Sequence, residues 1–294
     1  MAQSAIKSIG VIVKPHQPDA LETLCALTRW MSERGIAFVG LPEIEREQIE
    51  HHSGCQIQVL AEAEMPRRVD LMLVLGGDGT MIATARMLGD MQVPVIGVNY
   101  GGLGYLAEFP IDEMFPALEA ILVGAYTVQQ RLMLKVELWR GEELITQNRV
   151  LNDVVVNKSA LARIIAIEAS LNNQFVNSFR ADGLIVATPT GSTAYNLSAG
   201  GPIIFPSMQA MVITPICPFT LSNRPIVVPD DSIIEVQLIT ENEEVALTLD
   251  GQVGFSLQAR DRIVISKSST AFDLVQPPNR NYFEVLRNKL KWGR

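Results

Sequence analysis

At 294 residues, with ~100–200 residues expected per domain, the chain has room for two domains, each able to bury its own core. Hydrophobic residues make up 48% of it, yet no apolar run approaches the ~20 residues that span a bilayer, which excludes a transmembrane helix. The net charge of −8 argues against a general nucleic-acid binder, because phosphate neutralisation supplies most of that affinity.

The N-terminus, MAQSAIKSIGVIVKP, places one Lys before a short apolar run and then Pro15. That reads as a first strand and not as a secretory signal, so a cytoplasmic location is expected. Strand-like runs and helical patterns then alternate to about residue 125. IGVIVK (9–14) is a strand, and Leu21, Leu24, Leu27, Thr28 and Met31 mark one helical face that ends near Gly35. Strands AFVGL (37–41), VDLMLVLG (69–76) and VPVIGVN (93–99) follow, with a helix after Gly79 between the last two. Such alternation implies βαβ units and a mainly parallel sheet, an α/β domain over residues 1–127.

After about residue 128 the texture changes. RLMLKVELWR, RVLNDVVVN, RIIAIEASLN, DGLIVATP, SIIEVQL, VALTLDGQV and DRIVISK are short strand-like runs separated by turn signals. Dense strands without helices between them predict a β-rich second domain, sandwich-like, over 128–279. In the tail, NYFEVLRNKLKW, the spacing of Phe283, Leu286 and Leu290 predicts an amphipathic helix at about 280–294 that packs back onto the first domain.

Residue types narrow the chemistry. Cys25, Cys55 and Cys217 stand apart with no CxxC, which points to reduced thiols and not to a disulfide framework or a zinc site. All three histidines, His16, His51 and His52, precede residue 53, so a Ser-His-Asp hydrolase finds no partner for the later motifs. No GxxxxGK[ST] occurs, which excludes a P-loop.

Four segments could carry chemistry. In LGGDGT (75–80) a strand breaks into glycines at a helix start, a setting whose free N–H groups and partial positive charge suit anions. Asp78 inside it is placed to accept a hydrogen bond from a substrate hydroxyl, as phosphoryl transfer requires, or else it is a turn residue satisfying the loop's own amides. In VNYGGLGYLAEFP (98–110), Gly102, Gly104 and Ala107 formally match the dinucleotide fingerprint, but Pro110 would interrupt the helix that should follow. Asn152 and Asp153 stand side by side at a strand start, where amide and carboxylate can clamp vicinal ribose hydroxyls or form a plain Asn-Asp turn. RADGLIVATPTGSTAYNLSAGGPII (180–204) is rich in small and hydroxylated residues, with Pro189 and Pro202 fixing its path; it contributes little core and many polar groups at close backbone approach.

These motifs resemble those of the bacterial NAD kinases. GGDGT alone is shared with lipid kinases, whereas GGLGYL, NDVVV and DGLIVATPTGSTAYNLSAGGPI in combination are similar to that family from the first strand to the tail. The resemblance implies phosphorylation of the 2′-hydroxyl of the adenosine ribose of NAD by ATP, giving NADP, with a divalent cation such as Mg²⁺. It also implies a homo-oligomer, dimer or tetramer, whose subunits share sites. By position, Asp78 resembles the catalytic base with Gly79 beside it on the nucleotide, and Asn152 and Asp153 resemble the pair that grips NAD. Arg163, Arg180 and Asp182 correspond to further ligand contacts, Thr193, Ala194, Tyr195, Asn196, Leu197 and Ser198 to the nucleotide-binding stretch, and Gln252 to a late contact. Asp153 stands where many relatives have Glu, so its reach is about one methylene shorter. Two rivals remain: a diacylglycerol-type lipid kinase sharing GGDGT, and a non-catalytic dinucleotide-binding module.

Overall fold

The computed structural model describes residues 6–102, 104–159, 163–241, 243–278 and 281–292. Leu103 of the second glycine loop, and residues 280, 293 and 294 of the expected tail, lie outside the described residues. In chain order the first elements are β1 (Ser8–Val13), α1 (Ala20–Glu33), β2 (Ala37–Gly40), α2 (Arg46–Ser53), β3 (Gln58–Val59) and β4 (Leu71–Leu75). Next come α3 (Asp78–Leu88), β5 (Val95–Asn99), β6 (Phe109–Pro110), α4 (Met114–Leu122) and β7 (Thr127–Arg131). A strand-dense stretch follows: β8 (Leu134–Arg140), β9 (Glu143–Val150), β10 (Asp153–Lys158), β11 (Ile165–Leu171), β12 (Gln174–Ala181), β13 (Gly183–Ala187) and the single turn α5 (Tyr195–Ser198). It continues through β14 (Ala210–Ile216), β15 (Ile226–Pro229), β16 (Ile234–Leu238), β17 (Val245–Leu249), β18 (Val253–Leu257) and β19 (Arg262–Lys267), before β20 (Phe272–Gln276) and α6 (Tyr282–Leu290) close the chain.

Two compact units result, one of residues 1–130 with 272–294, the other of 131–271. The first is α/β. Its sheet runs β3-β2-β1-β4-β5-β20-β7, with β6 paired to β5. The pairs of β1 with β2 and β4, and of β5 with β4 and β20, are parallel. Parallel strands are covered on both faces, and β4 accordingly reads LMLVL with every residue buried. The helices lay apolar stripes on the sheet: on α1 these are Leu24, Leu27, Thr28 and Met31, at the spacing of one helical face. Each such Leu removed from water contributes about 1.5–3 kcal/mol.

The placement of β20 has no local cue. A strand from the far end of the sequence inserts between β5 and β7, with Phe272, Leu274 and Val275 buried. The tail helix forms as the periodicity predicts, and the Asn281 side chain caps it by accepting from Phe283 N at 2.9 Å. Its buried face differs from the expected one: Val285 and Leu286 are inside, while Phe283 is 52% exposed.

The second unit is a sandwich of two six-stranded sheets, β15-β14-β13-β10-β17-β18 and β12-β11-β16-β19-β8-β9. Every strand pairing recorded within them is antiparallel. Alternating residues from both sheets meet in one core, with Leu134, Val136 and Ile265 from one and Val154, Val156 and Leu247 from the other. Among the described residues no helix is long and apolar enough to cross a membrane.

Candidate functional site

In the first unit the site grows from the end of β4. The chain leaves that buried strand through Gly76 and Gly77, and α3 starts at Asp78. The Asp78 carboxylate turns away from its own loop and across to the second glycine segment. Its Oδ2 accepts from Tyr105 N at 2.9 Å, and its Oδ1 accepts from Leu106 N at 2.9 Å and Ala107 N at 3.1 Å. A Cβ at Gly104 would overlap Asp78 Oδ1, so that approach demands glycine. The loop is further folded on itself by Gly104 N to Ala107 O at 3.0 Å and by Asn99, whose side chain bonds Gly101 N and Gly102 O. No helix follows the Gly102 segment; the chain passes into β6, so the formal dinucleotide fingerprint lacks the helix start that gives it its function.

Three N–H donors occupy most of what a carboxylate can accept, since two oxygens offer about four acceptor directions. One direction remains, on Oδ2. The side chain is thus rigidly aimed, half-buried, and able to take one more hydrogen bond. Gly79 next to it is exposed at the helix start.

The second unit contains a parallel device. The β17–β18 hairpin turns at Asp250 and Gly251, with φ of 52° and 66°, the positive values of a two-residue hairpin turn. From that turn Asp250 reaches the start of β10. Its Oδ2 accepts from Leu151 N at 3.0 Å, and its Oδ1 from Asn152 N at 2.6 Å and Asp153 N at 3.1 Å. Thr188 N donates to Asn152 O at 2.9 Å, and Gly191 packs so close to the Asn152 carbonyl that a Cβ there would overlap it.

This double grip fixes the two expected ligand groups. Asn152 Oδ1 is buried with no hydrogen-bond partner among the described residues, and so is Thr190 Oγ1. Unpaired buried acceptors are uncommon, because each forfeits about 1–3 kcal/mol unless a ligand or water completes it. Asp153 is 4% exposed, and its carboxyl is pushed up to about 7, first by burial and then by the facing Asp250, against a hydrogen bond from Tyr195 N that pulls it down.

The 193–198 segment forms a 3₁₀ turn and α5. Asn196 is a structural knot: its Nδ2 donates to Ser192 O and Pro202 O, each at 3.0 Å, and its Oδ1 accepts from Thr214 Oγ1 at 2.6 Å. Ser192 Oγ bonds Pro189 O and Ile204 N. Thr193 and Ala194 are half-buried, and Tyr195, Leu197 and Ser198 stand at or near the surface above this knot. The remaining expected contacts are more dispersed. Arg180 lies over the Phe219 ring at 5.2 Å, Asp182 pairs with Lys158 at 3.6 Å, and Arg163 is exposed with its N donating to Glu243 at 3.1 Å. Gln252 follows the hairpin, its N bonded to Leu249 O at 3.0 Å.

Two groups escaped sequence reasoning. Asp250 was visible only as a turn residue of Asp-Gly, and the amides of Tyr105, Leu106 and Ala107 carry no side-chain signal at all. Spacing cannot report which remote backbone a carboxylate will face.

A carboxylate at the head of an α/β unit, aimed by glycine-loop amides, and a second unit that is a β-sandwich with orphaned polar groups define a nucleotide-handling protein of two units. The model of the ATP-NAD kinase N-terminal domain matches residues 9–126, and that of the ATP-NAD kinase C-terminal domain matches residues 151–277. The NAD kinase of Geotalea daltonii is 48% identical over 288 residues, covering 98% of this chain and 99% of its own length, and that of Geobacter sulfurreducens is 46% identical over the same shares. Among solved structures, yeast NADH kinase complexed with NADH superposes with a TM-score of 0.92 at 25% identity, covering 99% of this chain and 89% of that one. An NAD kinase from Archaeoglobus fulgidus in complex with ATP shares the fold, with a TM-score of 0.70 at 23% identity over 97% and 98% of the two chains. The chain belongs to the ATP-NAD kinase family.

Proposed function

We propose that this chain is an NAD kinase, transferring the γ-phosphoryl group of ATP to the 2′-hydroxyl of the adenosine ribose of NAD and so setting the balance between NAD and NADP. The observation that carries the reading is Asp78, a carboxylate held by three amides with one acceptor direction left. Family membership over both halves supports it, and nothing in those matches favours the lipid-kinase rival.

In the reaction the ribose oxygen forms a bond to the γ-phosphorus, the bond from that phosphorus to the β,γ-bridging oxygen breaks, and ADP leaves. Asp78 accepts the hydroxyl hydrogen bond, aligns the oxygen for in-line attack and takes the proton late, as a loose transition state permits. Its fixed geometry supplies orientation without reorganisation at the moment of transfer. Asn152 Oδ1 and Thr190 Oγ1, buried and unpartnered, accept from NAD hydroxyls or amide groups, and Asp153 accepts beside them. Asn196 and Asp250 position this wall. Gly79, Arg163, Arg180, Asp182, Thr193, Ala194, Tyr195, Leu197, Ser198 and Gln252 complete the nucleotide contacts.

A divalent cation such as Mg²⁺, when bound, neutralises phosphate charge. Among the described residues no group of three His, Cys, Asp or Glu is placed to hold an ion; phosphate oxygens and water would supply ligands to such a cation, as is usual for Mg²⁺. A cytoplasmic homo-oligomer, dimer or tetramer, is part of the same reading, supported by the exposed Phe219, Leu221 and Val227, which offer apolar surface for a second copy.

The test is NADP formation from NAD, ATP and Mg²⁺, set against diacylglycerol as acceptor. Asp78→Asn is expected to keep the fold and lower kcat by ~10² or more. Near-normal turnover in that variant removes Asp78 from the chemistry, and NAD binding without NADP formation in the parent leaves only a binding module.

A further inference from the structure

The strand β14 carries one hydroxyl among apolar neighbours. Successive residues of a strand face opposite ways, so Met211 and Ile213 enter the sandwich core while Ala210, Val212, Thr214 and Ile216 share the other face of their sheet. On that other face Val155, Ile185, Ala187 and Ile204 join the row in a second apolar cluster. Thr214 is fully buried there, paired with Ile185 across the ladder. Valine has nearly the same shape and would suit such a row better, because a buried hydroxyl costs free energy unless it is hydrogen-bonded. The reason for threonine lies in what its hydroxyl holds.

That partner is Asn196, in the segment whose Ala199 and Ile204 pack on this face. The Thr214 hydroxyl donates to Asn196 Oδ1 at 2.6 Å. Asn196 Nδ2 donates to Ser192 O and Pro202 O, so the amide nitrogen must face those two carbonyls and the oxygen must face β14. Removing the hydroxyl leaves that oxygen a buried acceptor without its donor. The groups around Asn196 are those of the ligand wall. Tyr195 N bonds the Asp153 carboxyl, Ser192 belongs to the turn whose Gly191 packs on the Asn152 carbonyl, and Thr190 with its orphaned Oγ1 precedes that turn.

We propose that Thr214 is a positioning residue for NAD binding: its hydroxyl holds Asn196, and through it residues 190–195, in the arrangement that the dinucleotide meets. The inference rests on the kinase reading above and adds to the NAD site a residue that lies outside every motif. Being fully buried, Thr214 acts through Asn196 and not on the ligand.

Steady-state kinetics and calorimetric titration of the full-length protein test this. Thr214→Val keeps the shape of the side chain and removes the hydroxyl. The Kd and KM for NAD should then rise about tenfold, as an orphaned buried acceptor implies, while kcat and the KM for ATP stay within about twofold. Thr214→Ser, which keeps the hydroxyl, should return the Kd for NAD to within about twofold of the parent. In an Asn196→Ala background, Thr214→Val should change that Kd by less than about twofold, because the group it acts through is gone. A purely structural role predicts instead a lower melting temperature with the Kd for NAD unmoved. That outcome in a folded Thr214→Val protein, a failure of serine to restore binding, or an undiminished effect in the absence of the Asn196 side chain overturns the proposal. Should Thr214→Val not fold, Thr214→Cys, whose thiol is a weak donor, takes its place, with binding weakened and then restored by serine in the same way. Absence of NADP formation by the parent protein would instead strike the kinase reading, and the calorimetric Kd for NAD, which needs no turnover, would still rule on Thr214.

Discussion

Each unit contains an aspartate whose carboxylate accepts three N–H donors from a distant piece of backbone. Asp78 gathers residues 105–107 across 27 to 29 positions of sequence, and Asp250 gathers residues 151–153 across 97 to 99. The surroundings differ. Asp78 sits half-buried at a helix start and faces amides, whereas Asp250 is buried in a hairpin turn and faces another carboxyl, Asp153. The same device therefore does two jobs. Where the clamp is half-exposed it leaves the aspartate itself able to meet a ligand; where it is buried it becomes scaffold and hands the ligand-facing role to the residues it holds.

The largest effect should come from cutting the buried clamp. Asp250→Ala leaves three N–H groups at the start of β10 without their acceptor, and at about 1–3 kcal/mol each a loss of roughly 3–9 kcal/mol is expected in urea unfolding. A loss below about 1 kcal/mol would mean that water replaces the carboxylate and the clamp is not scaffold.

The carboxyl pair makes the next difference measurable. Asp153 titrates near 7 in the fold against roughly 4 when unfolded, so its share of stability is complete below about pH 4 and lost as pH rises through about 7. Asp153→Asn should abolish that decline and, at pH 8, exceed the parent by up to about 4 kcal/mol. A parent whose stability is flat from about pH 4 to 8 would show that neither burial nor the facing Asp250 raises the Asp153 carboxyl.

The glycines beside the clamps separate side chain from backbone. Gly191→Ala pushes against the Asn152 carbonyl, which cannot yield without moving the chain, and should cost about 1–3 kcal/mol. Gly104→Ala pushes against the Asp78 side chain, which can rotate, so less stability and more activity should be lost. Thermal melts and turnover numbers of the two variants check the contrast.

Smallest of all should be Tyr105→Phe. Asp78 uses the Tyr105 N–H and not the ring hydroxyl, so melting and turnover should stay within about 0.5 kcal/mol of the parent.

Much of this was legible from residues. The β4–glycine–α3 passage shows itself as an apolar run ended by glycines, and the strand-dense second half as short runs between turn signals. The strand β14 was hidden, because AMVITPI is buried along its whole length, shows no alternation and contains Pro215. Asp78, Asn152 and Asp153 were readable as polar groups where packing does not want them. Asp250 was not, since its role depends on amides nearly a hundred residues earlier, and Asn196, placed by resemblance in the nucleotide-binding stretch, has its side chain engaged inside its own segment and by Thr214.

The insertion of β20 between β5 and β7 has a consequence for how the molecule is made. At about 5–20 residues per second, a ribosome completes the sandwich, residues 131–271, before it supplies the strand that finishes the earlier sheet. The part begun first is thus the part finished last, and until release it holds an open gap lined by strand edges. A chain cut short after residue 271 would keep the sandwich intact and leave the other half without an interior strand.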